Sequence, residues 1–328
     1  MIKKVYYPRL DLLKFLCCVG VVSIHTKPFL YCADAASEIM HFFSAMCVPL
    51  FFMASAFLFW RKINFDFAND AGVLKHFVMR LFILYVLWSI LILPSWLIGF
   101  YHKYPGEWLY LLPFKFLVTG AAHGSWFIMS LIQGILLCYV LNRFLGKIIT
   151  TILCFAVTSY INFVFHGMPD YLNVYYQYKI FDIWFSPFNA ILWIQLGYLI
   201  HVLFNIRRPP MFKMCWIVFF LGGAAYMAKD VQYINFIIDI LFRFFVLYFC
   251  IVPMEKGMLD FSTIRKMSII VYFAHFVFVI LWRVLVEKKI LSYEYGLQEF
   301  SVVLFSSICV SYVVVKLSEK IKFLKYLY

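Results

Sequence analysis

Long apolar runs, broken by short polar or basic stretches, dominate the 328-residue chain. A helix that crosses a bilayer needs about 20 mostly apolar residues. By that measure the pattern predicts ten spans, at residues 10–30, 39–60, 77–100, 125–143, 147–166, 183–204, 211–228, 234–252, 267–286 and 298–317. The run at 211–228 is the weakest, being short and carrying Lys213 and the pair Gly222-Gly223. EWLYLLPFKFLVT, residues 107–119, is apolar but interrupted by Pro113, and it is expected to be a re-entrant or interfacial piece. No repeat of 20–50 residues, low-complexity tract or long soluble stretch interrupts this order. The expected architecture is therefore all-α: a polytopic membrane helix bundle of about ten transmembrane helices, one domain over residues 1–328, with no soluble module attached.

Composition agrees. Hydrophobic residues make up 65% of the chain and charged residues 14%, with a mean hydropathy of +0.89. Soluble domains lie nearer half apolar and a quarter charged. The net charge of +13 would suit a nucleic-acid partner, but the basic residues sit in short clusters between apolar runs. That distribution marks the anionic face of a bilayer, so the partner is lipid and not nucleic acid. Threading ten spans puts 19 Lys and Arg on the side of both termini, 8 on the other, and Lys14 and Arg243 inside spans, accounting for all 29. The termini are therefore expected to be cytoplasmic. MIKKVYYPRL has the basic flank of a signal peptide, but the following run contains Lys14 and lacks a small-residue cleavage site, so it reads as a retained first span. The nine cysteines form no C-x-x-C pair, and most fall within apolar runs as small filler; no disulfide framework, zinc site or other metal is expected.

Charge inside a bilayer is costly, which draws attention to DLLKFLCCVGVVSIHT, residues 11–26. Lys14 and His25 are eleven residues apart, about 20° past three full turns, so they share a helix face at depths roughly 16 Å apart. Asp11, three residues before Lys14, lies on the same surface and can pair with it. Two readings stand: Lys14 snorkels to the inner interface while His25 caps the outer end, or the face forms a path with a cation for a phosphate-bearing donor and then a general base.

Other polar residues interrupt the runs. HFFSAMCVPLFFMASAFLFW, residues 41–60, carries Pro49 and Ser55, as suits either a routine kinked helix or one that lines a cavity. Arg80 opens the third span, either as a cytoplasmic anchor or as a guanidinium fork for phosphate. His123 and Trp126 open the fourth, with Ser130 and Gln133 deeper. Asp239 and Arg243 stand i, i+4 in the eighth span, where an intrahelical ion pair competes with a catalytic role. His275 lies within the ninth, either as an interhelical hydrogen-bonding residue or as a secondary site. His166-Gly-Met-Pro-Asp170 fits the H-x-x-x-D pattern of soluble acyl-CoA-dependent transferases, but it lacks the glycine that usually follows, and those enzymes have a soluble fold.

Together these segments resemble the acyltransferase-3 family of membrane-bound acyltransferases. DLLKFLCCVGVVSIH resembles the family's first-span motif of a basic residue, ten residues and a histidine, with Lys14 where Arg is commoner. CVPLFFMASAFLFW resembles V-P-L-F-F-x-x-S-G-F-L-L, with Ala56 in place of Gly. GSWFIMSLIQGILLCYVL and MSIIVYFAHFVFVI are similar to the family's L-W-F-L and S-x-x-x-Y-x-x-H spans. Members often carry two arginines three apart at the start of the third span; here Arg80 is flanked by Phe77 and Ile83.

The resemblance implies acyl transfer, usually of acetyl, from cytoplasmic acyl-CoA as co-substrate to a hydroxyl of an envelope glycan or lipid-linked sugar, in the bacterial inner membrane. It carries over His25 as the catalytic residue and Lys14, Asp11, Arg80, Ser55, His123 and Trp126 as donor-binding or supporting residues. Asp239, Arg243 and His275 remain a structural ion pair or secondary site. No bound cofactor is implied, and a homo-oligomer is compatible with it. The rival class is a multi-pass transporter or flippase of a glycan intermediate or small molecule, since ten helices with embedded charges fit that too.

Overall fold

The computed structural model describes residues 6–30, 34–120, 124–163, 186–206, 211–227, 232–252, 261–292 and 296–328. The described residues are helical, with no strand among them. Among the described residues ten α-helices follow in order: α1 (Pro8–Thr26), α2 (Asp34–Trp60), α3 (Phe67–Lys103), α4 (Trp108–Phe114), α5 (Trp126–Phe163), α6 (Pro187–Ile206), α7 (Met211–Met227), α8 (Gln232–Cys250), α9 (Ser262–Glu287) and α10 (Leu297–Leu317). Six of these, α2, α3, α5, α6, α9 and α10, are long and apolar enough to cross a membrane. The chain is thus a multi-pass helical membrane protein.

Local chemistry sets the helix limits. α1 begins on Pro8, whose fixed φ suits a first turn. It ends where Lys27 turns left-handed and returns its N–H to Ser23 O at 2.9 Å. α3 opens ten residues earlier than the apolar run predicts, because the Asp66 side chain caps it by accepting the Ala68 N–H at 3.2 Å. Its 37 residues give about 55 Å of helix, well beyond the hydrocarbon thickness.

The described chain divides into two compact units, residues 1–54 with 199–326 and Tyr328, and residues 55–198 with Leu327. In the second unit, α5 is a hairpin and not one rod. Its 38 residues are interrupted at Gly146, where φ is 74° and ψ is 167°. Only glycine takes that conformation without steric cost. Cys138 and Cys154, eight residues either side of Gly146, are both fully buried. Gln195 of α6 ties the two arms: its side chain bonds Asn142 at 2.7 and 3.0 Å and Thr151 Oγ1 at 3.1 Å. The break at Gly146 falls between the spans expected at 125–143 and 147–166.

The segment expected to be re-entrant forms α4 and one π-helical turn, Lys115–Thr119, too short together to span with ease. Irregular backbone at membrane depth must find partners within the protein. Tyr85 supplies one by donating its hydroxyl to Phe116 O at 2.5 Å. Gln133 supplies two more, its amide reaching Leu117 O and Val118 O at 3.1 Å each. Gly120 closes the turn at φ 86°, where a Cβ would come within 2.5 Å of the Trp126 backbone.

In the first unit, α1 packs against α2, α9 and α10. Gly20 permits the α1–α2 approach, because a Cβ there would collide with Cys47 Sγ. Val22, Val279 and Val303 form a buried layer joining α1, α9 and α10.

Candidate functional site

α1 and α9 run in the same direction, and their contacts climb in step. Tyr6 OH meets the Phe261 N–H at 2.5 Å. One turn on, Asp11 Oδ2 lies 3.8 Å from Arg265 Nη1. Cys18 Sγ then donates to Ser268 O at 3.0 Å, and His25 packs its ring against α9 near the top. The residues of α1 on this side, Asp11, Lys14, Cys18 and His25, step by three, four and seven. On α9, Arg265, Ser268, Tyr272, His275 and Val279 step by three and four. Such spacing keeps one stripe facing a parallel partner, and here the stripe is polar as well as apolar.

The expected shared face of Lys14 and His25 is therefore the α1–α9 seam. His25 is half-buried; its ring centroid lies 5.4 Å from that of His275 and 4.7 Å from that of Phe276. Its backbone is held as well, since Arg283 Nη2 donates to His25 O at 3.2 Å. Gly296 N–H donates to Thr26 O at 3.0 Å, anchoring the start of α10 beside the end of α1. The result is a half-exposed imidazole whose helix end is fixed from two other helices, the preorganisation that proton transfer or nucleophilic attack requires.

His275 is fully buried. Its Nδ1 sits 3.2 Å from Val271 O, and its Nε2 is a buried nitrogen with no hydrogen-bond partner among the described residues. Lys14 is half-buried one turn past Asp11, and Asp11 itself is buried. Asp11 gains a partner that local spacing does not foresee, Arg265 from a helix some 250 residues away.

The remaining candidates are placed as follows. Ser55 is half-buried in α2, Trp126 is half-buried at the start of α5, and Arg80 is exposed on α3 beside exposed Lys75 and His76. His123, like His166 and Asp170, lies outside the described residues. Asp239 and Arg243 form the i, i+4 ion pair within α8, with side chains 20% and 9% exposed. In a poorly hydrated setting such a pair is costly to break from one side.

One residue absent from the sequence-derived site adjoins it, Arg283, bonded to His25 O; Glu299 is buried in the first turn of α10, three residues past Gly296. A carboxylate opening the last apolar run is the only sequence signal for Glu299. A cavity of about 470 Å³ lined by Ser23, Lys27, Phe29, His41 and Ser44 lies near the same end of α1. It opens on the α2 flank, however, whereas the His25 ring faces α9. Among the described residues no group of three or more His, Cys, Asp and Glu is placed to hold a metal ion.

Comparison with curated proteins returns no match, and neither does comparison with solved structures. The family model described as an acyltransferase domain matches residues 7–316, nearly the whole chain and all ten helices to the last turn of α10. With that match added to a helical membrane fold, the chain belongs to the acyltransferase-3 family.

Proposed function

We propose that the protein moves an acyl group, acetyl in the first instance, from cytoplasmic acyl-CoA to a hydroxyl of an envelope glycan or lipid-linked sugar. The observation that carries this reading is His25: a half-exposed imidazole on the α1–α9 seam, its backbone held by Arg283 and its ring set against α9. In the proposed step His25 accepts the hydroxyl proton while the oxygen attacks the thioester carbonyl. The new C–O bond forms, the C–S bond breaks, and the proton passes from His25 to the departing thiolate, giving CoA–SH and the ester. Lys14 is the donor-side cation on the same seam, and Asp11 fixes that end of α1 through Arg265. Arg80 offers a guanidinium suited to donor phosphate. Ser55, Trp126 and His123 are supporting residues, and Asp239–Arg243 is a structural pair.

The proposed topology has ten crossings, cytoplasmic termini and residence in the bacterial inner membrane. Helix direction supports the count. Two spans that run the same way must be separated by an odd number of crossings. If α4 does not cross, counting α5 as one crossing leaves six between α1 and α9, whereas the Gly146 hairpin makes seven. The Lys and Arg bias supports the same threading.

Purified protein in liposomes, given radiolabelled acetyl-CoA and a mixture of envelope glycans, tests the reading. Covalent label on a glycan is the expected result. Movement of unmodified substrate across the bilayer without labelling would show a transporter instead.

A further inference from the structure

We infer that His275 is a positioning residue for His25, its buried ring nitrogen accepting the His25 N–H and fixing which nitrogen of His25 keeps its lone pair for the acceptor hydroxyl. The inference rests on the reading of His25 as the base. Val271 O can only accept, so the 3.2 Å contact assigns the proton of His275 to Nδ1 and leaves a lone pair on Nε2. That lone pair is buried and has no hydrogen-bond partner among the described residues. A buried acceptor left open is rare and calls for a donor.

The His25 ring is placed to supply it. The two centroids are 5.4 Å apart and the planes are tilted by 35°. Ring nitrogens stand about a bond length off their centroids, so a nitrogen-to-nitrogen hydrogen bond of about 3 Å is one ring rotation away. Phe276 packs on both rings, at 4.7 Å from His25 and 4.0 Å from His275. Tyr272 flanks His275 at 6.2 Å. Exposure divides the labour: His275 has none and cannot meet substrate, whereas His25 is half-exposed. When His25 takes the hydroxyl proton, its other N–H still points at His275, so the imidazolium is held in orientation without a second proton moving.

The test uses the full-length protein in liposomes with acetyl-CoA and the glycan that the wild type labels. His275→Phe keeps an aromatic ring beside Phe276 but removes the acceptor. It is expected to lower kcat by about 100-fold, the lower end of what a positioned base contributes, with KM for acetyl-CoA unchanged. His275→Gln, which keeps an acceptor oxygen, is expected to restore at least a tenth of wild-type kcat. Wild-type kcat in an inserted His275→Phe protein overturns the inference. Should that variant fail to accumulate, ¹⁵N spectra of the wild-type histidine rings decide. One hydrogen-bonded His25 tautomer supports the inference, and a tautomer mixture overturns it. Failure of the underlying reading is distinguishable, because it would appear as full activity in His25→Ala whatever His275 does.

Discussion

The imidazole rings of His25 and His275 lie 5.4 Å apart although 250 residues separate them in the chain. They meet because α1 and α9 run parallel, sharing a seam on which Asp11 meets Arg265, Cys18 meets the Ser268 backbone and His25 meets His275. A first-span motif and a late-span motif thus meet along one seam.

The parallel seam makes a topological prediction. If α5 is a hairpin of two crossings, single cysteines at positions 61 and 147 react with a membrane-impermeant maleimide from the cytoplasmic side. Cysteines at the exposed positions 103 and 290 react from the other side. Substituted-cysteine labelling of whole cells against inverted vesicles checks this. Protection of position 147 from both sides would mean that α5 crosses once.

Gln195 is the clamp of that hairpin, reaching Asn142 on one arm and Thr151 on the other. Replacing it with Leu leaves the buried Asn142 amide short of a partner and cuts the tie to Thr151, an unsatisfied buried group costing about 1–3 kcal/mol. Gln195→Leu is therefore expected to lower the unfolding temperature in detergent by several degrees. Gln195→Glu, which can still accept from Asn142, is expected to lower it less. Thermal scans of the purified variants give the answer.

Much of this arrangement is legible in the amino-acid sequence. Apolar run lengths place α1, α2, α6, α9 and α10 to within a few residues at most ends, and they separate the arms of α5 at Gly146 because Arg143 and Lys147 bracket it. The Lys14–His25 face follows from helical arithmetic alone. What that face packs against does not: 3.6-residue periodicity says which residues share a side, not which distant helix covers it. A signal is nevertheless present, since Cys18 and His25 stand seven residues apart on α1 and their partners Ser268 and His275 stand seven apart on α9. Hydropathy and charge counting treat Arg265 only as a cytoplasmic charge and Arg283 only as an outer one. Residue spacing along one helix carries no record of a partner from another, so it pairs Asp11 locally with Lys14 and misses Arg265. The extension of α3 past its apolar core comes from the Asp66 cap, a polar signal that hydropathy ignores.

Arg80 carries a separate prediction on the donor. If its guanidinium contacts donor phosphate, Arg80→Ala raises KM for acetyl-CoA by about tenfold, the worth of roughly 1.4 kcal/mol, and leaves kcat within a factor of two. The reciprocal measure is salt: exposed ion contacts weaken as ionic strength rises, so the KM of the wild type climbs with salt and that of Arg80→Ala climbs less. Unchanged KM in the variant would return Arg80 to the role of membrane anchor.

The central claim is that His25 takes the proton in an acyl transfer, and one rate tests it most directly. Purified wild type and His25→Ala, reconstituted at equal inserted amounts, are compared for transfer of radiolabelled acetyl from acetyl-CoA to an envelope glycan. A loss of roughly 10³-fold is predicted, within the range that a positioned general base supplies, with the unfolding temperature of the variant within a few degrees of wild type. Transfer at the wild-type rate by a folded His25→Ala protein would contradict the account.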